Sequence, residues 1–103
     1  MLAFRATTMS IRFRWDPNKD ATNLAKHRVS FDEARTVFAD PLARIFPDED
    51  HSSAEQREFI VGHSRHGRLL FVFFTERPDG VRIFSARPAT RQERRDHEEN
   101  TKP

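Results

Sequence analysis

This sequence predicts an α+β domain with its helices gathered before a run of antiparallel strands, and three observations carry that prediction. Two helix-start signals stand close together near the beginning: Asp16-Pro17, and Ser30 with Glu33 three residues on. Beyond residue 58 the pattern changes to short strand-like runs, parted by Ser64–Gly67 and by Arg77-Pro78-Asp79-Gly80. Among these runs, Leu69–Thr75 is apolar at nearly every position, which only a central strand covered on both faces requires. Helices that precede a set of strands pack as one layer on a sheet face.

Each element has its own warrant. Ile11 to Trp15 alternates apolar residues with Arg12 and Arg14, the signature of a half-buried strand. Asp16 is suited to an N-cap and Pro17 to the first helical position, where a missing amide costs nothing. The helix is expected to run to about His27, with Ala21, Leu24 and Ala25 facing inward. Ser30 and Glu33 have capping-box spacing and open a short helix through Phe38, whose Phe31, Ala34 and Phe38 share a face. Asp40-Pro41 ends it. Leu42–Phe46 reads as a short strand, Pro47–Glu55 as an acidic loop and Glu58–His63 as a strand. The Arg77–Gly80 turn returns the chain into Val81–Ala86 as an antiparallel neighbour. Thr90 and Glu93 form a further capping box, opening a helix to about Glu99 that has no large apolar residue and must lean on caps, ion pairs or a partner. The expected order is β-α-α, a three- or four-stranded antiparallel meander, and a short polar C-terminal helix.

The chain has 103 residues, enough for one core that buries roughly 65% of the unfolded surface. Residues 11–99 are expected to form that single domain, with 1–10 a frayed extension and 100–103 a tail. The net charge is only +2, but it is unevenly spread. Val81–Arg95 holds five arginines and one acid, whereas Asp40–Glu58 holds six acids and two arginines. Guanidinium groups match phosphate oxygens, so the basic strip suggests a polyanion partner as readily as a solubilising surface. There is no cysteine, hence no disulfide, thiol nucleophile or thiolate metal site, which fits a cytoplasmic location. No apolar run approaches the ~18 residues of a membrane span, and the leading MLAFRATTM is too short and polar for a signal peptide.

Trp15-Asp16-Pro17-Asn18-Lys19, then Asn23-Leu24, Lys26-His27, Val29-Ser30-Phe31 and Ala34, resemble the opening of the BrnT family of bacterial toxins. Thr75-Glu76-Arg77, Arg82-Ile83, Ser85-Ala86-Arg87, Ala89-Thr90 and Glu93-Arg94-Arg95 resemble its closing segment. The resemblance runs colinearly over about residues 13–99. It implies a RelE-like fold and a ribonuclease toxin of a type II toxin–antitoxin pair, which inhibits translation and growth. It also implies neutralisation by a BrnA-like antitoxin, often in a heterotetramer, with DNA contacted only through the antitoxin. The family commonly has Lys at the position of Pro88 and Tyr near the position of His97.

Metal-free RNA cleavage needs a base for the 2′-hydroxyl, cations for the charge growing on phosphorus, and an acid for the leaving 5′-oxygen. Arg77, Arg82 and Arg87 are the candidate phosphate clamp. Arg82 and Arg87 are an odd number of residues apart, so they converge only if their strand bends near Ser85 or ends before Arg87. His27 is the candidate general base or acid, although Lys26 and His27 also suit a helix C-terminus electrostatically. Lys26, Phe84, Arg91 and Arg94 are candidate RNA contacts. Glu33 and His97 are further acid/base candidates, with capping the first role of Glu33. His63 and His66 lack a third ligand at any recognisable spacing, so no metal or other cofactor is expected. Phe71, Phe73 and Phe74, like Trp15, are expected in the core. The competing reading is a non-catalytic RelE-like scaffold that binds its antitoxin and supports operator DNA binding.

Overall fold

The structure, a computed structural model, describes residues 11–50 and 55–101; the expected frayed extension at 1–10 lies outside them. Strand β1 (Phe13–Arg14) leads to helix α1 (Pro17–His27), helix α2 (Phe31–Ala34) and a 3-10 helix (Arg35–Ala39). Four strands follow, β2 (Arg44–Pro47), β3 (Glu58–His63), β4 (Leu69–Arg77) and β5 (Gly80–Pro88), and then helix α3 (Arg91–Asn100). The sheet order is β1-β5-β4-β3-β2, so β4 is central as expected. The meander β2–β5 is antiparallel, and β1 adds to β5 in parallel, which makes the sheet mixed.

The local signals act as their chemistry dictates. Asp16 accepts from the Asn18 amide at 2.8 Å and Pro17 fills the first turn of α1. Thr90 and Glu93 complete a full capping box on α3. At α2 only half the box forms, because Ser30 Oγ accepts from the Glu33 amide while the Glu33 carboxylate is taken by Arg68 and Ser64. β1 approaches β5 at Gly80, whose φ is +142° and where a Cβ would lie 2.3 Å from the Arg12 carbonyl oxygen. Val81 donates to that oxygen at 2.8 Å.

The core lies between the helical layer and one sheet face, with Val29, Phe31, Ala34 and Val37 packed on Ile60, Leu70, Val72, Phe74, Ile83 and Ala86. The expected inward face of α1 is corrected by the structure. Ala21, Leu24 and Ala25 are exposed, Leu24 to 49%, and the buried residue is Asn23. The reason is that α1 lies beside the edge of β5, where polar backbone needs partners more than apolar surface does. The Asn23 side chain donates to the Ala86 and Val29 carbonyls at 2.8 and 2.9 Å and accepts from the Ala86 amide at 3.1 Å. It stands in for a missing strand.

Phe71 and Phe73 also differ from expectation. Phe74 is fully buried in the core, but Phe71 and Phe73 are half-buried on the opposite sheet face. There Phe46, Phe59 and Phe71 form a ladder of stacked rings with centroids 5.3 and 5.5 Å apart. That face, with part of α3, is where the charged residues gather.

Candidate functional site

A bulge in β5 builds the site. Ser85 pairs with Phe73 and Ile83 with Phe74, so Phe84 is an extra residue with no opposite number on β4. One inserted residue resets the alternation of a strand. Arg82 and Arg87, which a regular strand would send to opposite sides, therefore pair with Thr75 and Phe71 and share a face. This is the bend near Ser85 that their convergence requires. Arg14 is the register partner of Arg82 on the neighbouring strand, and its guanidinium pairs with Asp79 at 3.0 Å.

The three clamp arginines lie along a line and do not meet at a point. Thr75 and Phe71 are four residues apart, which separates the bases of Arg82 and Arg87 by about 13 Å along the sheet. Arg77 sits beyond them at the hairpin end, opposite Gly80, and both its Nε and Nη2 reach Glu55, at 3.0 and 2.7 Å. A single phosphate cannot touch Arg77 and Arg87 together. The Arg82 side chain has no hydrogen-bond or ion-pair partner among the described residues.

Arg87 is held from two sides. Its guanidinium lies 4.5 Å from the Phe71 ring centroid and grips Glu93 in a bidentate pair at 2.8 and 3.0 Å. That pair, together with the Thr90 amide, pulls the Glu93 carboxyl down to about 2. Arg44 lies 5.8 Å from the Phe46 ring, so the aromatic ladder is closed by a cation at each end. Its ring faces are occupied by one another and by guanidinium groups. Phe84 is covered likewise by Arg57 at 4.3 Å.

Beside the bulge, a cleft of about 360 Å³ separates the polar face of α1 from β5. Lys19, Lys26 and His27 line one wall and Phe84 and Ser85 the other. The structure thus brings Lys26 and His27 of α1 together with Phe84, which lies on β5 between Arg82 and Arg87. Arg91 and Arg94 are exposed on α3. Lys19 escaped the sequence reading, although its seven-residue spacing from Lys26 marks a shared helix face. Arg57 gave no comparable signal, since it adjoins an irregular segment whose path the sequence does not specify.

The two further acid/base candidates have different settings. Glu33 is 5% exposed and takes the Arg68 guanidinium and the Ser64 hydroxyl. The hydrogen bond from Arg68 outweighs burial and lowers its carboxyl. A carboxylate held this way is a weak base, and the residue is a structural linchpin between α2 and the Ser64–Arg68 turn. His97 is the buried residue of α3, with its ring 5.9 Å from that of His63. Burial, then the nearby His63 and Arg44, lower its proton affinity. His63 is itself placed by Asp40, which accepts from the His63 amide at 2.7 Å. Among the described residues no cluster of three or more His, Cys, Asp or Glu side chains is disposed to hold a metal.

By fold and site, the protein is a small α+β domain with α1 and α2 on the core side of the sheet, and α3 over a cation-rich far face bordered by a basic cleft. A family model described as the ribonuclease toxin BrnT of type II toxin–antitoxin systems matches residues 15–93, and the chain belongs to that family. Membership implies an antitoxin partner. The 1.1 Å crystal structure of the Brucella abortus ribonuclease toxin BrnT is similar, with a TM-score of 0.62 and 24% identity. The likeness spans 80% of this chain and 100% of that one. No curated protein sequence gives a significant match.

Proposed function

We propose that this protein is a metal-independent endoribonuclease toxin with a RelE-like fold, cleaving RNA by attack of the 2′-hydroxyl on the adjacent phosphate. The observation that carries the proposal is the Phe84 bulge, because it sets Arg82 and Arg87 on one face with the Lys26–His27 cleft opening between them. On this reading the arginines bind successive phosphates rather than clamping one. The scissile phosphate lies at the cleft mouth, Lys26 offsets its charge, and His27 exchanges the proton. Arg91 and Arg94 extend the basic track along α3, while Arg77, already paired with Glu55, contributes at most to the far end. Cleavage leaves a 2′,3′-cyclic phosphate and a free 5′-hydroxyl.

The antitoxin of the pair is proposed to be BrnA-like, joined in a heterotetramer, with operator DNA contacted through it. An acidic docking loop at Asp48, Glu49 and Asp50 is narrowed to Glu49 and Asp50, since Asp48 is 7% exposed.

A second reading, the non-catalytic scaffold, has one observation in its favour: Arg77 and Arg87 are both neutralised within the chain. Cleavage of labelled RNA by purified, antitoxin-free protein in EDTA separates the two. Wild type should cleave, His27→Ala should lose about 10²–10⁴-fold, and Arg82→Ala about 10²-fold. A folded wild type without activity, with or without ribosomes, favours the scaffold. Full activity in His27→Ala removes His27 from the mechanism.

A further inference from the structure

Arg87 already holds an anion. Its two terminal nitrogens meet the two oxygens of Glu93 at 2.8 and 3.0 Å, and Glu93 Oε1 also accepts from the Thr90 amide at 2.8 Å. The Phe71 ring backs the guanidinium, whose side chain is 31% exposed. A carboxylate on the fork of an arginine occupies the positions that two non-bridging oxygens of a phosphodiester would take. We propose that Glu93 fills a phosphate subsite on Arg87, so that α3 competes intramolecularly with RNA and must yield when substrate binds. The inference rests on the ribonuclease reading for the identity of the substrate.

The way α3 is attached agrees with this. The helix has no large apolar residue, and His97 is its one buried side chain. Its C-terminal end touches the sheet through Arg44, which donates to the Asn100 carbonyl at 3.4 Å, a long contact. Between the helix and the sheet is a gap of about 130 Å³ floored by Phe46, Val61 and Phe71. Apolar surface there is covered without being filled, which is the packing of a helix that can leave. Glu93 stays ionised throughout the physiological range, so its own protonation does not open the contact. A competing anion can. RNA would displace the carboxylate from Arg87 while the capping box, which uses Thr90, keeps the helix start intact.

The test is binding of a short single-stranded 2′-O-methyl RNA, which lacks the attacking hydroxyl, to the full-length, antitoxin-free protein. Glu93→Gln should bind roughly 2–5-fold tighter than wild type, the range expected when a partly exposed intramolecular ion pair is removed. One more phosphate contact should steepen the dependence of log Kd on log salt by about 0.7. Both gains should vanish when Arg87→Ala is added. Should Glu93→Gln lose its fold, Glu93→Asp replaces it: the charge stays in the first turn, but the side chain is too short to bridge Thr90 and Arg87, and the same Arg87-dependent gain is expected. Affinity that is unchanged or weaker, or a gain that survives without Arg87, overturns the inference. Cleavage of ordinary RNA, run in parallel, separates the failures. Active wild type with no gain in the Glu93 variants sinks the competition alone. An Arg87-dependent gain without cleavage by any variant sinks the ribonuclease chemistry and leaves the phosphate subsite standing.

Discussion

Glu33 tests whether a buried carboxylate here serves chemistry or architecture, and the structure sets the size of the answer. In Glu33→Gln the shape is kept and the Ser64 hydroxyl still has an oxygen to donate to, so the change falls on the two contacts with Arg68. Hydrogen bonds to charged groups are worth about 1.5–3 kcal/mol each, and breaking a fully buried pair costs about 3–5 kcal/mol. The Arg68 side chain is 37% exposed and can turn to water, whereas the Glu33 side chain is 7% exposed. Solvent access on one side reduces the loss to about 2–3 kcal/mol. For a chain of this length that lowers Tm by roughly 10–20 °C. Thermal unfolding followed by circular dichroism reads the shift, and a double-mutant cycle with Arg68→Gln should return a coupling of at least ~1 kcal/mol. The sign of the pH dependence follows from the lowered carboxyl. The contribution is present above the ordinary glutamate value of 4.5 and is lost as pH falls through the lower folded value, so the mutational effect should shrink in acid. RNA cleavage assayed below the melting range of the variant should match wild type. A Tm within about 2 °C of wild type, or activity lost from a stably folded Glu33→Gln, would refute this assignment.

Arg28 ends α1 with φ 60° and ψ 30°, a left-handed conformation costly for a residue with a Cβ. Arg28→Gly should raise stability by about 0.5 kcal/mol after the extra chain entropy of glycine is subtracted, a gain of roughly 2–4 °C in Tm. Gly62 lies against the Asp40–Ala43 turn, where a Cβ would fall 2.8 Å from Ala43 Cβ and 3.0 Å from Asp40 Oδ2. Gly62→Ala should therefore destabilise by about 1–3 kcal/mol, and Ala43→Gly should recover part of that in the double variant. His97 prefers its neutral form when α3 is docked, because burial, His63 and Arg44 together outweigh Asp40 and Glu98. Docking should thus be complete above the ordinary histidine value of 6.5 and weaken as pH falls below it. Amide hydrogen exchange over Arg91–Asn100, corrected for intrinsic rates, should show less protection at pH 5.5 than at pH 7.5. The same pH response in His97→Phe would assign it elsewhere.

The elements whose signals are local were legible in the sequence. Caps at Asp16, Ser30 and Thr90 mark helix starts because a side chain and an amide three residues away or fewer decide the matter. The Arg77–Gly80 turn and the two-faced run of β4 are likewise short-range statements. What could not be read depends on partners far along the chain. Asn23 is buried because Ala86, sixty-three residues later, offers an unpaired amide and carbonyl, and no periodicity within α1 announces that. Periodicity favoured Leu24 instead, and the edge of a sheet overruled it. The same holds for Phe71 and Phe73, which an apolar run cannot divide between a filled core and an aromatic ladder capped by arginines. For the site, residue types were readable and their grouping was not. Arg77 stood beside Arg82 as a clamp candidate until Glu55 engaged it, and Glu33, expected to close a capping box, is turned instead to Arg68.

The bulge at Phe84 joins these levels. A regular β5 would keep either Arg82 or Arg87 on the far face and turn the other toward the core, where an unpaired guanidinium would cost several kcal/mol. The apolar residues Val81, Ile83 and Ala86 face the same dilemma, since Ile83 and Ala86 also stand at odd spacing and both must be buried. One extra residue resolves the two conflicts together: Ile83 and Ala86 both reach the core, and Arg82 and Arg87 both leave it. The core therefore enforces the arrangement of the arginines. Any substitution that removed the bulge would have to expose Ile83 or Ala86, or bury an arginine. The grouping of charge on the far face is in this sense a by-product of apolar packing, held by the stability of the whole domain and needing no attraction among the cations themselves. It also explains why the cleft opens where it does. Phe84, surplus to the ladder, lines the cleft with Ser85 opposite Lys26 and His27, at the middle of the arginine line.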